Sequence, residues 1–239
     1  MIETVLVVGA TGNIGVAAVK AALRTKRHVL AVVRNQTSAD KLFKHVGVRE
    51  GITTVEADVR SETGLQEVVD KAKAGKLPAF QHVYSTVGTM DMTSPIQNLS
   101  TSAFREVMSI AVESNYFAYR ATVPYLIDQA KEDSTWTLMT GAAGTSGWAG
   151  VTAVAQGALF SLANVACREN AKTNIRFNEV YLACRVDYDS VAEGKGVISS
   201  SKFADNYEQI LSRPDIKGCR VSVLKPEDIE ELKFEKKLA

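Results

Sequence analysis

Residues 4–23, TVLVVGATGNIGVAAVKAAL, place a Val-rich run, three glycines and an Ala-rich run in direct succession. The glycines are Gly9, Gly12 and Gly15. A strand, a tight glycine turn and the start of a helix together allow close backbone approach and offer free N–H groups, as the pyrophosphate of a dinucleotide requires. The spacing is G-x-x-G-x-x-G rather than G-x-G-x-x-G, so a purely structural turn is the alternative.

Beyond this unit, short apolar runs alternate with longer segments of helical period, the pattern of a parallel sheet covered on both faces. The strand candidates are residues 4–8, 28–33, 51–57, 80–85, 135–140, 174–182 and 220–224. The helix candidates are residues 14–26, 38–46, 61–75, 101–131 (two helices, or one bent near Pro124), 152–169, 200–212 and 226–233. We therefore predict one α/β domain over residues 1–239, a doubly wound Rossmann fold with about seven parallel strands and helices on both faces.

The composition restricts the partners that the chain is expected to have. Lys and Arg number 28 against 27 for Asp and Glu, so no net field favours nucleic acid or an acidic membrane surface. Cys167, Cys184 and Cys219 are widely spaced and odd in number, which predicts neither a disulfide framework nor a metal site. Neither a basic leader nor an 18-residue apolar segment is recognised, and we expect a cytoplasmic protein that does not enter a membrane.

The end of the second strand indicates which nucleotide would bind. A site for NAD presents Asp or Glu about 20 residues past the glycines, and this chain has Arg34 there. A guanidinium suits a 2′-phosphate, so the sequence favours NADP(H), with a solvated surface arginine as the alternative. Asn35 adds a further polar group. Asp58, at the end of the third strand, is expected either to meet the adenine or to cap the next helix.

Five motifs, in order and spacing, resemble the short-chain dehydrogenase/reductases over nearly the whole chain. They are GATGNIG at 9–15, ADV at 57–59, STVG at 85–88, TGAAG at 140–144 and QGALFSLANVACRE at 156–169. The resemblance implies an oxidoreductase that uses NADP(H), acts on a small organic substrate and forms a homodimer. The implied cofactor contacts are Gly9, Thr11, Gly12, Asn13, Ile14, Gly15, Arg34, Asn35, Asp58, Val59, Ser85, Thr86, Val87, Gly88 and Gln156.

The chain departs from the catalytic pattern of that family. The family carries a serine on the fifth strand and opens the next helix with Tyr-x-x-x-Lys. Aligned on QGALFSL, Thr152 takes the tyrosine position, Gln156 the lysine position, and Gly141 or Thr140 the serine position. An aliphatic hydroxyl with no neighbouring cation is too weak an acid for proton transfer near neutral pH. We therefore expect Thr152 and Gln156 to position a ligand.

Two tyrosines are candidates to replace the missing acid. Tyr84 ends the fourth strand and Tyr181 ends the sixth, both toward the crevice of a doubly wound sheet. Strand alternation leaves it equally open that each points into the core. Residues 186–212 follow the sixth strand and are predicted to form a substrate lid, in which Tyr188 and Asp189 are candidate substrate contacts.

The helix from Thr152 to Arg168 is apolar nearly all the way round, which predicts a cover on its outer side. A second subunit or a lid of the same chain would provide it, and Phe160 and Ala163 are predicted on that outer face. Three functions remain open. They are an NADP(H)-dependent oxidoreductase with a relocated acid or an activated acceptor, a non-redox cyclase, isomerase or lyase that retains the nucleotide, and a non-enzymatic NADP(H) sensor.

Overall fold

The strands of the protein form two sheets in the computed structural model, which describes residues 2–93 and 95–238. In chain order the strands are β1 (Thr4–Val8), β2 (His28–Val33), β3 (Ile52–Glu56), β4 (His82–Ser85), β5 (Ser134–Gly141), β6 (Ile175–Leu182), β7 (Val186–Asp187), β8 (Ile198–Ser199), β9 (Cys219–Val223) and β10 (Lys233–Lys236). Eight described strands form the central sheet in the order β10-β9-β6-β5-β4-β1-β2-β3, and β7 pairs with β8 separately.

Helices cover both faces of the central sheet. They are α1 (Asn13–Arg24), α2 (Gln36–Val46), α3 (Gly64–Lys73), α4 (Thr101–Met108), α5 (Ser114–Asp128), α6 (Ala143–Ser146), α7 (Gly150–Glu169), α8 (Asp189–Ala192) and α9 (Ser200–Ser212). Helices α1, α2 and α9 bury their apolar residues in the core on one face of the sheet. Helices α3, α5 and α7 do so on the other face. The predicted doubly wound Rossmann fold is confirmed.

The sheet contains one strand more than the sequence predicts, and that strand runs antiparallel. Residues 226–233 were predicted as a helix, but a 3₁₀ turn at Pro226–Ile229 is followed by β10, which pairs antiparallel with β9. Phe234, the apolar residue of the segment KFEK, packs against the core, and its charged neighbours are exposed, as suits an edge strand. The other neighbouring strands of the central sheet pair in parallel.

The long helical region after β4 is interrupted earlier than expected. A π-helical turn at Ser109–Glu113 joins α4 to α5, whereas Pro124 lies inside α5. The side-chain amide of Asn115 donates to the carbonyl of Ala111 at 2.6 Å and to that of Val87 at 2.9 Å. The Asn115 side chain therefore stabilises the π-helical turn and joins the start of α5 to the chain that follows β4.

Helix α7 faces the sheet with a different set of residues from the set predicted. Leu159, Ala163 and Ala166 are fully buried against the sheet, whereas Val154 and Val165 are 44% and 51% exposed. The prediction that Ala163 lies on the outer face is therefore wrong. Phe160 is also turned inward, because its ring lies 5.8 Å from that of Tyr181 on β6.

Among the described residues, one helix is long and apolar enough to cross a membrane by length and composition alone. It is α7, with a mean hydropathy of 1.4 over its most apolar window, 39% of which is buried inside the protein. The expectation that no such segment exists is thus corrected. The helix packs against the central sheet as one of the core helices.

The predicted lid, residues 186–212, divides into two parts. Helix α9 belongs to the core, since Phe203, Tyr207 and Ile210 are buried against the sheet in the same layer as α1. The preceding part, from β7 to β8, is joined by hydrogen bonds to the glycine-rich turn and to α1.

Candidate functional site

The three glycines after β1 serve three different structural purposes. Gly9 has a φ of +83°, and a Cβ there would lie 2.9 Å from Oγ1 of Thr86 at the end of β4. A Cβ on Gly15 would lie 2.2 Å from the carbonyl oxygen of Gly9, so only glycine allows α1 to approach the turn so closely. A Cβ on Gly12, which is exposed, would contact only the Gly9 carbonyl oxygen, at 3.6 Å. Gly12 therefore leaves open space in front of the helix.

The N-terminus of α1 has the features of an anion site. Its N-cap, Gly12, has no side chain, its first turn holds no acidic residue, and the N–H of Ile14 donates to Oδ1 of Asn13 at 3.1 Å. Unpaired N–H groups at a helix N-terminus carry a partial positive charge that favours phosphate. The open space at Gly12 gives access to these groups, so the turn fits the pyrophosphate of a dinucleotide.

A second cationic position lies at the end of β2. Arg34 follows the strand directly and is exposed. Asn35 caps α2 by accepting hydrogen bonds from the N–H of Ser38 at 2.9 Å and from its hydroxyl at 3.0 Å. The first turn of α2 contains no acidic residue. A guanidinium and a helix N-terminus thus lie next to each other, and Asn35 serves as a helix cap rather than only as an additional donor.

Asp58 and Val59 differ in what they can offer a ligand. One carboxylate oxygen of Asp58 accepts from the N–H of Arg60 at 2.9 Å, and the residue is exposed at the end of β3. The N-cap of α3 is Thr63, so the alternative that Asp58 caps this helix is wrong. Val59 packs against the core and has no polar side chain to contribute.

The end of β4 is built around a buried hydrogen-bond network. Ser85 is fully buried, and its hydroxyl donates to Oδ1 of Asn115 at 2.6 Å. Its predicted cofactor contact can therefore not involve the side chain. Thr86 donates to the carbonyl oxygens of Val8 and Gly9, which joins β4 to the glycine turn. Gly88 is exposed, with no atom within 4 Å of a Cβ built there, so the chain beyond the network is open.

The junction of β5 and α7 places Gln156 against Gly141. The N–H of Gly141 donates to Oε1 of Gln156 at 2.7 Å, and a Cβ on Gly141 would lie 3.8 Å from the Gln156 amide. A side chain at position 141 would thus point toward Gln156, which identifies Gly141 rather than Thr140 with the serine position. The hydroxyl of Thr140 instead donates to the buried carboxylate of Glu179 at 2.7 Å. Its nomination as a catalytic residue is therefore not supported.

Thr140 belongs to a buried ionic cluster. Glu179 is fully buried and pairs with Arg220 at 3.1 Å and with Lys237. A buried carboxylate needs such partners, because desolvation alone disfavours its charge. The cluster joins β5, β6 and β9 to the residue that follows β10.

Thr152 contacts a loop of the protein rather than an open crevice. Its hydroxyl accepts from the N–H of Asp91 at 2.7 Å and donates to the Asp91 carbonyl at 3.0 Å, and the residue is 4% exposed. Gly150 has a φ of +52°, and a Cβ there would lie 2.6 Å from the carbonyl oxygen of Thr93. The start of α7 thus packs against the loop after β4, and the Thr152 hydroxyl holds that loop in place by hydrogen bonds.

The two candidate tyrosines have different surroundings. Tyr84 is 1% exposed, its ring lies 4.4 Å from that of Tyr207, and burial raises the pKa of its hydroxyl. It faces the core, so its nomination as a proton donor to substrate is wrong. The hydroxyl of Tyr181 donates to Oγ1 of Thr145 at 3.1 Å, and the Arg220 guanidinium lies 4.8 Å from its ring. Tyr181 is partly exposed and stays a candidate.

Taken together, the site offers groups that bind and orient but few that ionise. Over residues 2–93 and 95–238, no group of three or more His, Cys, Asp or Glu side chains is placed to hold a metal ion. A cavity of about 630 Å³ is lined by residues of the 189–199 segment, Lys202 and Pro226, and neither Gln156 nor a residue of the glycine turn lines it. The contacts of Thr152 with Asp91, and those of residues 186–201 with the glycine turn, had no signal in the sequence, because they join segments far apart in the chain.

Comparison with known proteins agrees with this geometry. Residues 3–186 match the family model described as short chain dehydrogenase, and the chain belongs to the short-chain dehydrogenase/reductase family. Its relatives include the short-chain dehydrogenase/reductase iacG of Pestalotiopsis fici, 55% identical over 99% of this chain and 97% of the relative. A probable 2,4-dienoyl-CoA reductase of Bacillus subtilis is 25% identical over 74% of this chain and 70% of its own.

Solved structures share the fold at low sequence identity. The structure of ElxO with NADP bound has a TM-score of 0.81 at 16% identity and covers 97% of this chain and 100% of its own. A short-chain dehydrogenase/reductase of Brucella melitensis has a TM-score of 0.78 at 18% identity, with 92% and 94% covered. These structures show the shared fold, whereas the family-model match and the 55% identical relative confirm the predicted family of oxidoreductases.

Replacing Thr152 by Val should release the loop after β4. The substitution removes the hydroxyl and leaves the N–H and carbonyl of Asp91 without this partner, which should lower the free energy of unfolding by about 1–3 kcal/mol. Urea denaturation measures this loss, and hydrogen exchange at residues 89–93 should become faster. Thr152→Ser keeps the hydroxyl and is the matched control. Equal stability and exchange in Thr152→Val and wild type would contradict the assignment.

Proposed function

We propose that the protein is an NADP(H)-dependent oxidoreductase that acts on a small organic substrate. The proposal rests on two positively polarised groups, a helix N-terminus and a guanidinium, that follow the neighbouring strands β1 and β2. The N-terminus of α1, with glycine as its N-cap, suits the pyrophosphate, and Arg34 beside the N-terminus of α2 suits a 2′-phosphate. That ElxO, a protein of the same fold, has been solved with NADP bound supports the proposal.

Gln156 is proposed to hold the nicotinamide ribose. Its Oε1 accepts from Gly141, which fixes the amide and leaves Nε2 as its donor. A neutral amide can bind ribose hydroxyls, but it adds no positive charge near the reaction centre. NADPH bound in this crevice would supply a hydride to the substrate.

The proton for such a reaction is proposed to come by a route other than the family's tyrosine. Thr152 is bonded to the backbone of Asp91, and Tyr84 is buried in the core. An acceptor that is already activated, such as a conjugated carbonyl compound or an iminium ion, can take a hydride without a strong protein acid, and water can then protonate the product. The name of the Bacillus relative, a dienoyl-CoA reductase, denotes a conjugated substrate and is in keeping with this class.

A non-redox reaction on the same fold is the second candidate. The observation in its favour is that the hydroxyl of Thr152 and the Oε1 atom of Gln156 already have partners within the protein. A cyclase, isomerase or lyase would need the nucleotide only as a bound element. Oxidation of NADPH in step with product formation separates the two candidates.

Arg34→Ala should weaken NADPH binding about tenfold to a hundredfold and leave NADH binding nearly unchanged. The reason is the loss of one charge-assisted contact to the 2′-phosphate, worth about 1.5–3 kcal/mol. Titration of each nucleotide into wild type and variant, followed by nucleotide fluorescence, measures both affinities. Arg168→Ala is the control, because Arg168 is an exposed cation in the last turn of α7. Equal affinities of wild type for NADPH and NADH would exclude this assignment.

The outer face of α7 is proposed to bind a second copy of the chain. Val154 and Val165 are exposed on it, and Tyr116 and Ile127 on α5 are 45% and 41% exposed. Exposed apolar side chains of this number on neighbouring helices mark an interaction surface. A homodimer would cover them.

Val165→Asp should therefore yield a monomer, because it would bury a charge in the proposed interface. Light scattering at micromolar concentration measures the mass. Val48→Asp is the matched control, since Val48 is also 51% exposed but lies in the turn after α2. A wild-type protein that is monomeric at these concentrations would refute the dimer.

A further inference from the structure

Residues 186–201 form a strap over the glycine-rich turn and α1. The carbonyl of Val186 accepts from the side-chain amide of Asn13, and the hydroxyl of Tyr188 donates to the carbonyl of Thr11 at 2.7 Å. The hydroxyl of Ser200 donates to the carbonyl of Asn13 at 2.8 Å. Three contacts from one segment thus reach the few residues that precede and begin α1.

The peptide unit between Thr11 and Gly12 is hydrogen-bonded on both sides, once by the strap and once within the turn. Its carbonyl oxygen accepts from Tyr188, while its N–H donates to the carbonyl of Gly9 at 3.1 Å. Gly12 has no side chain to restrict this unit, and an unrestrained glycine turn samples many conformations. With both groups bonded, the Thr11 carbonyl is directed to the strap and away from the N-terminus of α1.

The strap itself is anchored on two helices. The Tyr188 ring stacks on His45 of α2 with centroids 3.7 Å apart, and the Lys41 ammonium lies 5.3 Å from its centroid. Asp189 pairs with Lys20 of α1 at 2.5 Å and accepts from the N–H of Ser201 at 2.8 Å. Burial opposes the charge of Asp189, but these bonds outweigh it and lower its pKa to about 2. The anchor is therefore charged at neutral pH.

We propose that this strap preorganises the glycine-rich turn for a nucleotide, with Tyr188 as the positioning residue. The inference rests on the proposed nucleotide function. A turn that is already held in its binding conformation loses little conformational entropy when the phosphates arrive, so its affinity is higher. Tyr188 acts through the Thr11 carbonyl, and it is neither a substrate contact nor a proton donor in this arrangement.

Tyr188→Phe tests the proposal because it keeps the ring on His45 and removes only the hydroxyl. We expect NADPH to bind about two- to tenfold more weakly, as the loss of one hydrogen bond predicts. Hydrogen exchange at residues 9–13 should become faster in the nucleotide-free protein. Asp189→Asn, which weakens the ion pair with Lys20, should likewise weaken NADPH binding and speed hydrogen exchange at residues 9–13. Tyr119→Phe is the control, because the Tyr119 hydroxyl bonds Glu169 and Asn170 at the far end of α7.

The outcomes distinguish this inference from the proposed function. Binding and exchange in Tyr188→Phe that equal those of wild type, with wild type binding NADPH, would overturn the strap and leave the proposed function standing. A wild type that binds neither NADPH nor NADH would overturn the proposed function and the strap's role together. Weaker binding in Tyr188→Phe and an unchanged Tyr119→Phe support the strap.

Discussion

The close backbone approach at the first turn is the constraint on which the site depends. A single added carbon on Gly15 would lie 2.2 Å from the Gly9 carbonyl oxygen, and one on Gly9 would lie 2.9 Å from Thr86. Glycine at these positions lets the start of α1, the end of β1 and the end of β4 converge. The N–H groups of α1 and the chain at Gly88 therefore open onto the same crevice. Arg34 is exposed at the end of β2, where the proposed 2′-phosphate would bind.

The other half of the site is interpreted through the proposed alignment of α7 with the family's Tyr-x-x-x-Lys pattern. At the positions of the usual tyrosine and lysine, Thr152 bonds the backbone of Asp91 and Gln156 bonds the backbone of Gly141. Each side chain thus fixes backbone that lines the crevice. A neutral hydroxyl and a neutral amide can perform this structural task, but neither can supply the proton-transfer chemistry of a tyrosine beside a lysine.

The sequence was sufficient for the fold class and for seven of the strands of the central sheet. Those features depend on local periodicity and on glycine spacing, which a single sequence displays. The direction in which individual side chains point was harder to predict. Tyr84 and Tyr181 both end strands, yet one faces the core and the other is partly exposed, since the twist and packing of each strand decide the outcome. Strand β10 was missed because a four-residue edge strand has too little pattern to outweigh its helix-favouring neighbours. The strap over the glycine turn was read as a lid, because its contacts with Thr11, Asn13 and Lys20 join residues more than 160 positions apart.

A crystal structure of the protein with NADPH bound would test the proposed nucleotide site most directly. The account predicts the pyrophosphate at the N-terminus of α1, the 2′-phosphate within hydrogen-bond distance of Arg34, and a ribose hydroxyl on Nε2 of Gln156. It also predicts that, apart from the Tyr181 hydroxyl, no tyrosine, lysine, histidine or carboxyl side chain lies within hydrogen-bond reach of the space above nicotinamide C4. A nucleotide bound elsewhere, a 2′-phosphate remote from Arg34, or another ionisable side chain above C4 would contradict this structure of the site.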